Sequence, residues 1–181
     1  MVSRHLQAMI WGCAMRPSTL DGLRKQLSDW KAQQAEEGSL AFFAQEVIDG
    51  LEEKLSLLLS LIDAFQVSPM GFTLKDPLQD SWGIILPDAS QPGRYRWQGF
   101  RSDGFTGHCT FDTAELCLGD MVDFGLKVPD PGALDRNAST QTWQRGMEML
   151  AVVQACNSGL ISWDESCRRR EEISSRYTQA A

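Results

Sequence analysis

Apolar residues recur every three or four positions through the first and last thirds of the chain, and alternate with polar ones through the middle. Over residues 3–15, Leu6, Met9, Ile10 and Cys13 fall at helical spacing, and Pro17 stops the run. Ser18 with Asp21 three positions on is a capping pattern, and it opens a predicted helix over 19–36 with Leu20, Leu23, Leu27 and Trp30 on one stripe. Gly38 ends that helix and Ser39 caps the next, predicted over 40–66. There Phe43, Val47, Gly50, Leu51, Leu55, Leu58, Ile62 and Phe65 follow the same spacing, interrupted by Lys54, and the second half is apolar nearly all round. Such a helix is buried centrally or against another chain; the core is the expectation, and a homo-oligomer seam along 40–66 is the alternative.

The middle changes character. Pro69, Gly71 and Pro77 mark 67–81 as a linker. Residues 82–86 read as a short apolar strand and 87–92 as a turn. Over 94–101, Tyr95 and Trp97 share one face while Arg94 and Arg96 share the other. Ser102-Asp103-Gly104 is a hairpin turn, and 105–111 the returning strand. Asp112 and Glu115 make a capping box for a helix over 113–124, with Gly125 at its C′ position. The prediction is a small antiparallel β-meander with one helix packed across it.

Residues 127–138, with VPDPGALDR, read as a proline-punctuated loop. Ser139 caps a helix over 140–156 that carries Trp143, Met147, Leu150, Ala151 and Gln154 at helical spacing. Asn157-Ser158-Gly159 stops it, and Ser162 with Glu165 caps a last helix over 163–176. These two helices form an αα-hairpin. The fold class is therefore α+β: a helical N-terminal part (1–67), a β-meander plus helix (68–126) and a C-terminal helical hairpin (127–181), forming one compact unit. The turn, through Gly159, Ile161, Ser162 and Glu165, resembles the short C-terminal helical hairpins of the SHOCT type. That resemblance covers about thirty residues, uses the residue types any capped interhelical turn selects, and implies an interaction or oligomerisation module.

Composition narrows the function classes. A chain of 181 residues, 43% hydrophobic and 23% charged, makes one ordinary globular domain. The net charge of −7 argues against a general nucleic-acid binder, which needs a basic footprint. The acid is unevenly spread: residues 68–111 carry four basic against four acidic groups, and their basic residues are Lys75, Arg94, Arg96 and Arg101. Five irregularly spaced cysteines without a secretory leader pattern fit a reduced, cytoplasmic compartment. No apolar run reaches the ~18 residues of a membrane span, so no membrane partner is expected.

Candidate chemistry is sparse. His108, Cys109 and Cys117 are metal-ligand types, but neighbours on a strand point to opposite faces, so His108 and Cys109 do not converge on one ion; structural cysteines are the better reading and no metal is expected. A cysteine nucleophile would need an adjacent base, and no spacing fixes His108 or His5 beside Cys109 or Cys117. Asp112, Glu115, Asp120 and Asp123 read as caps and a solvated helix face. Neither phosphate-binding glycine pattern occurs, so no nucleotide cofactor is expected. Arg168-Arg169-Arg170 beside Glu171-Glu172 makes intrahelical ion pairs.

The arginine–aromatic hairpin remains. With aromatics inward and arginines outward it is an ordinary amphipathic hairpin. As a surface, Arg94, Arg96, Trp97 and Arg101 are residue types favoured in protein contacts. The expected function is a non-catalytic regulatory protein that occupies a surface of a protein partner. Its compact acidic format suits an inhibitor of a nucleic-acid-processing defence system of phage or mobile-element type. Two alternatives stand beside it. One is a nucleic-acid accessory protein that stacks bases on Tyr95, Trp97, Phe100 and Phe105; the other is an enzyme with a deep pocket beside His108.

Overall fold

The computed structural model describes residues 17–36 and 41–179. The helix expected over 3–15 and the Ser39 cap lie outside them. The architecture is α+β, with N-terminal helices, a central antiparallel sheet and C-terminal helices. In chain order the elements are α1 (Leu20–Glu36), α2 (Ala41–Val67), β1 (Thr73–Lys75), β2 (Ser81–Pro87), β3 (Tyr95–Arg101), β4 (Gly104–Phe111), α3 (Ala114–Phe124), β5 (Val128–Pro129), α4 (Ala133–Ala138), α5 (Gln141–Asn157) and α6 (Trp163–Gln179).

The described strands form one sheet in the order β4-β3-β2-β1-β5. β1 and β5 fall where the sequence reads as linker and loop; Leu74 pairs with Gly83 on one side and with Pro129 on the other. The 127–138 loop also contains α4. Caps differ by one residue from the expected ones. Thr113, not Asp112, accepts from the Leu116 amide at 3.2 Å; Thr140, not Ser139, accepts from Trp143 at 3.1 Å; Thr19, not Ser18, accepts from Gly22 at 3.0 Å. Gly125 takes the left-handed conformation at the end of α3, and Ser162 caps α6 as expected.

The pleat divides the apolar residues between two faces. On the first, Ile85 and Trp97 pack with Leu23 of α1, Leu58 and Leu61 of α2, and Leu118, Met121 and Val122 of α3. On the second, Trp82, Ile84 and Phe100 pack with Ala133 of α4 and Trp143 of α5. Leu58 at 0% and Leu61 at 2% exposure are buried in this core, while Leu59 of the same apolar stretch of α2 is exposed. α6 packs against α5 as the predicted hairpin, Arg176 and Tyr177 both contacting Glu148 at 2.9 Å.

Two of the buried indoles donate to a carboxylate. Trp97 Nε1 donates to Asp120 at 2.7 Å on the first face, and Trp82 Nε1 donates to Asp130 at 2.8 Å on the second. An indole N–H taken from water needs such an acceptor. α3 also anchors the approach to α1: Asp123 accepts from the Ser18 amide and hydroxyl at 2.8 and 2.9 Å, and Glu115 accepts from the Leu20 amide at 2.9 Å. The helix acids expected to form a solvated face therefore tie segments together.

Candidate functional site

The three first-face helices leave little of the sheet open there; the second face is covered only in part. Directly opposed residues of β2, β3 and β4 form cross-strand rows on it: Trp82, Phe100 and Phe105; then Ile84, Gln98 and His108; then Leu86, Arg96 and Thr110. The first row lies under Trp143, whose ring meets Phe105 at 5.1 Å and Phe100 at 5.9 Å. A bulge sets these rows. Gln98 opposes His108 while Phe100 opposes Phe105, so β4 spends one extra residue and both Phe105 and His108 face the same side.

α5 runs along β4. It touches the β3–β4 turn at Gly146, and its Met147 lies against Gly104. Further on it draws away, leaving an open cleft of about 320 Å³. The strand wall is Gln98, Thr106, Gly107 and His108; the helix wall is Met147, Leu150, Ala151 and Gln154. Those helix positions are spaced i, i+3, i+4 and i+7, one continuous face. The lining residues include no carboxylate and no cysteine. His108 is exposed on the rim, with Thr106 as the hydroxyl-bearing side chain of the lining.

The four residues expected to form a contact surface have different fates. Trp97 is 6% exposed, bonded to Asp120 and packed against Phe124, so it serves the core and cannot be replaced at no cost to the fold. Arg94 is held internally: it forms an ion pair with Asp112 at 2.9 Å and its terminal guanidinium nitrogens donate to Gln91 and Thr110, although its enclosed Nε, like that of Arg96, makes no hydrogen bond. Arg96 sits beyond Gln98 on the open second face, half-buried, with its Nε enclosed and lacking a hydrogen-bond acceptor. Arg101 is exposed at the other end of β3, on a separate hollow lined also by Gln79, Asp80, Ser102, Asp103 and Thr142. The structure thus separates Arg96 from Arg101 instead of joining them in one strip.

The aromatics proposed for stacking face inward. Phe100 is 0% exposed, and Tyr95 and Phe105 are half-buried against the two clusters. Cys109 packs toward the first cluster, where Cys117 is buried, while His108 faces the second side, as strand alternation requires. Among the described residues no group of three or more His, Cys, Asp and Glu side chains is placed to hold a metal ion, and no helix is long and apolar enough to cross a membrane.

Sequence reasoning missed Asp88, which organises the β2–β3 turn beside this face. It is 5% exposed, and its carboxylate accepts from the Ser90 hydroxyl at 2.6 Å, the Ser90 amide at 2.7 Å, the Thr110 hydroxyl at 2.8 Å and the Gln91 amide at 3.1 Å. The Ser90 and Thr110 hydrogen bonds, with those amides, hold it far below the usual carboxylate range despite burial. Its Asx-type turn was the available signal. Asp120 goes the other way: burial pushes its carboxyl up, only partly offset by the Trp97 N–H, and the nearby Asp123 charge adds to the rise.

Elsewhere, Arg168 pairs with Glu165 at 2.7 Å and with Glu172, and Arg169 pairs with Glu165 at 2.6 Å, so two arginines of the run are paired along their own helix. At the hairpin tip Leu160 and Trp163 are exposed, with the Arg170 guanidinium over the Trp163 ring. No protein family, curated protein or solved structure matches the chain. The likeness of its last hairpin to SHOCT-type modules rests on the capped turn alone.

Proposed function

We propose that the protein works by docking on another protein, with the open half of the second sheet face as its contact. One observation carries this: the outer strip of that face presents Arg96, Gln98 and His108 beside an apolar helix wall whose cleft has no carboxylate, in a chain of net charge −7. Arg96 is half-buried beside the Gln98 amide on this face, and arginine next to apolar surface is a residue type enriched at protein contacts. Arg101, exposed at the turn, supplies an outlying contact.

A protein partner is favoured over a nucleic acid for two reasons. The rings that would stack bases are packed inward, and Asp80 and Asp103 share the hollow with Arg101. The test is capture from a native lysate on wild-type protein, Arg96→Glu, Arg101→Glu and a control, Lys25→Glu, on the exposed surface of α1. The expected result is a stoichiometric protein that survives nuclease, is retained by the control, and is lost with Arg96→Glu. Capture that needs nucleic acid, or is indifferent to Arg96, would overturn the reading.

A further inference from the structure

The two N-terminal helices are unequal in length. α1 has 17 residues and α2 has 27. They run antiparallel: Gln34 donates to Gln45 at 2.9 Å, Lys31 pairs with Glu52 at 2.7 Å, and Leu23 shares a core cluster with Leu58. Residues 37–40 join them, so roughly ten residues of α2, about 15 Å of helix, extend past the start of α1. Exposure follows this overhang. The α2 face that carries Ala44, Ile48 and Leu55 continues at helical spacing to Leu59 and Ile62. Ala44 and Ile48, in the part of α2 that α1 flanks, are buried. Leu59, level with the start of α1, is exposed, and Val67 and Met70 beyond it are 87% and 83% exposed. Large apolar side chains left in water together mark a contact surface.

The chain itself supplies a segment of suitable position, length and charge. It enters α1 beside the overhang: Ser18 is held by Asp123 of α3, which also pairs with Lys54 of α2. Residues 1–16 precede this point and lie outside the described residues. In their sequence Leu6, Met9, Ile10 and Cys13 recur at i, i+3, i+4 and i+7, and Pro17 divides that run from α1. As a helix, 3–15 spans about 20 Å, enough to follow the overhang to its end. Residues 1–16 carry Arg4 and Arg16 and no acidic residue, whereas residues 17–67 carry nine acidic against four basic groups. A second copy of the chain would set this acidic hairpin against itself. Charge therefore favours the chain's own N-terminal segment as the occupant.

We propose that residues 3–15 form an amphipathic helix, broken from α1 at Pro17, that packs along the overhang of α2 and covers Leu59 and Ile62. The proposal concerns the helices of the first face and is independent of the docking reading on the second. The test is amide hydrogen exchange, read by mass spectrometry, on the full-length protein at two concentrations tenfold apart or about that. Wild type is compared with Leu59→Glu, Ile10→Glu and a charge control, Ser60→Glu, at an exposed position off the stripe. In wild type and the control, residues 5–15 should exchange at least about tenfold more slowly than a free chain, at both concentrations. Leu59→Glu should abolish that protection while exchange in β2 and β3 stays unchanged. Ile10→Glu should abolish it too, and should speed exchange along residues 59–67. Free-chain exchange of 5–15 in wild type would overturn the proposal, as would protection that survives Leu59→Glu or an α2 end indifferent to Ile10→Glu. Protection confined to the higher concentration would also overturn it and assign the surface to a second copy.

Discussion

A Cβ on Gly146 would stand 1.5 Å from the Asp103 carbonyl oxygen: the β3–β4 turn lies directly on the backbone of α5. This contact closes one end of the cleft and fixes the line along which α5 leaves the strand. A similar crossing occurs on the first face, where a Cβ on Gly119 of α3 would stand 1.8 Å from the Ser18 carbonyl oxygen.

Gly146→Ala should therefore destabilise the protein by about 1–3 kcal/mol, because the obstructing atom is backbone and the turn must shift. Gly50, on exposed α2 surface with nothing within 4 Å of its would-be Cβ, is the counter-case. Gly50→Ala should stabilise by about 0.5–1 kcal/mol through helix propensity. Urea unfolding of both variants checks the opposite signs.

Trp97→Phe keeps a ring on the first face but removes the donor to Asp120. Leaving that buried acceptor unsatisfied should cost about 1–3 kcal/mol, again read from urea midpoints. The variant should leave partner binding unchanged wherever it remains folded, which separates Trp97 from Arg96.

Asp120 and Asp88 should respond to pH with opposite signs. For Asp120 the folded carboxyl is raised above its unfolded value, so ionisation works against folding. Stability is lost as pH rises from about 3.9, the unfolded value, through the folded one. Asp120→Asn removes that loss, so the wild type should weaken relative to the variant as pH climbs through that window. For Asp88 the folded carboxyl is depressed, so its contribution is complete above the unfolded value and disappears as pH falls toward the folded one. Asp88→Asn should be destabilised by a constant amount near neutrality, and the gap to wild type should close below about pH 4. Unfolding midpoints taken from pH 3 to pH 8 test both.

The elements with long periodic patterns were legible in the sequence. α1, α2, α5 and α6 follow their apolar stripes, and the Tyr95/Trp97 against Arg94/Arg96 alternation gave β3 its two sides. β1 and β5 were not legible because TLK and VP are too short to show a period; their strand character comes from pairing Leu74 with Pro129 and Lys75 with Val128. The carboxylate partners were hidden for a related reason: Asp120 lies 23 positions from Trp97 and Asp130 48 from Trp82, separations that only the tertiary fold closes. The stripe through Met147, Leu150, Ala151 and Gln154 was visible as a helix face, but what it faces depends on the β4 bulge and on the Gly146 contact.

The most direct measurement is the affinity of the recovered partner for wild type, Arg96→Glu and Lys25→Glu, each shown to be folded. A loss of about tenfold or more confined to Arg96→Glu would place the contact on the second face. Equal affinity across the three would contradict it.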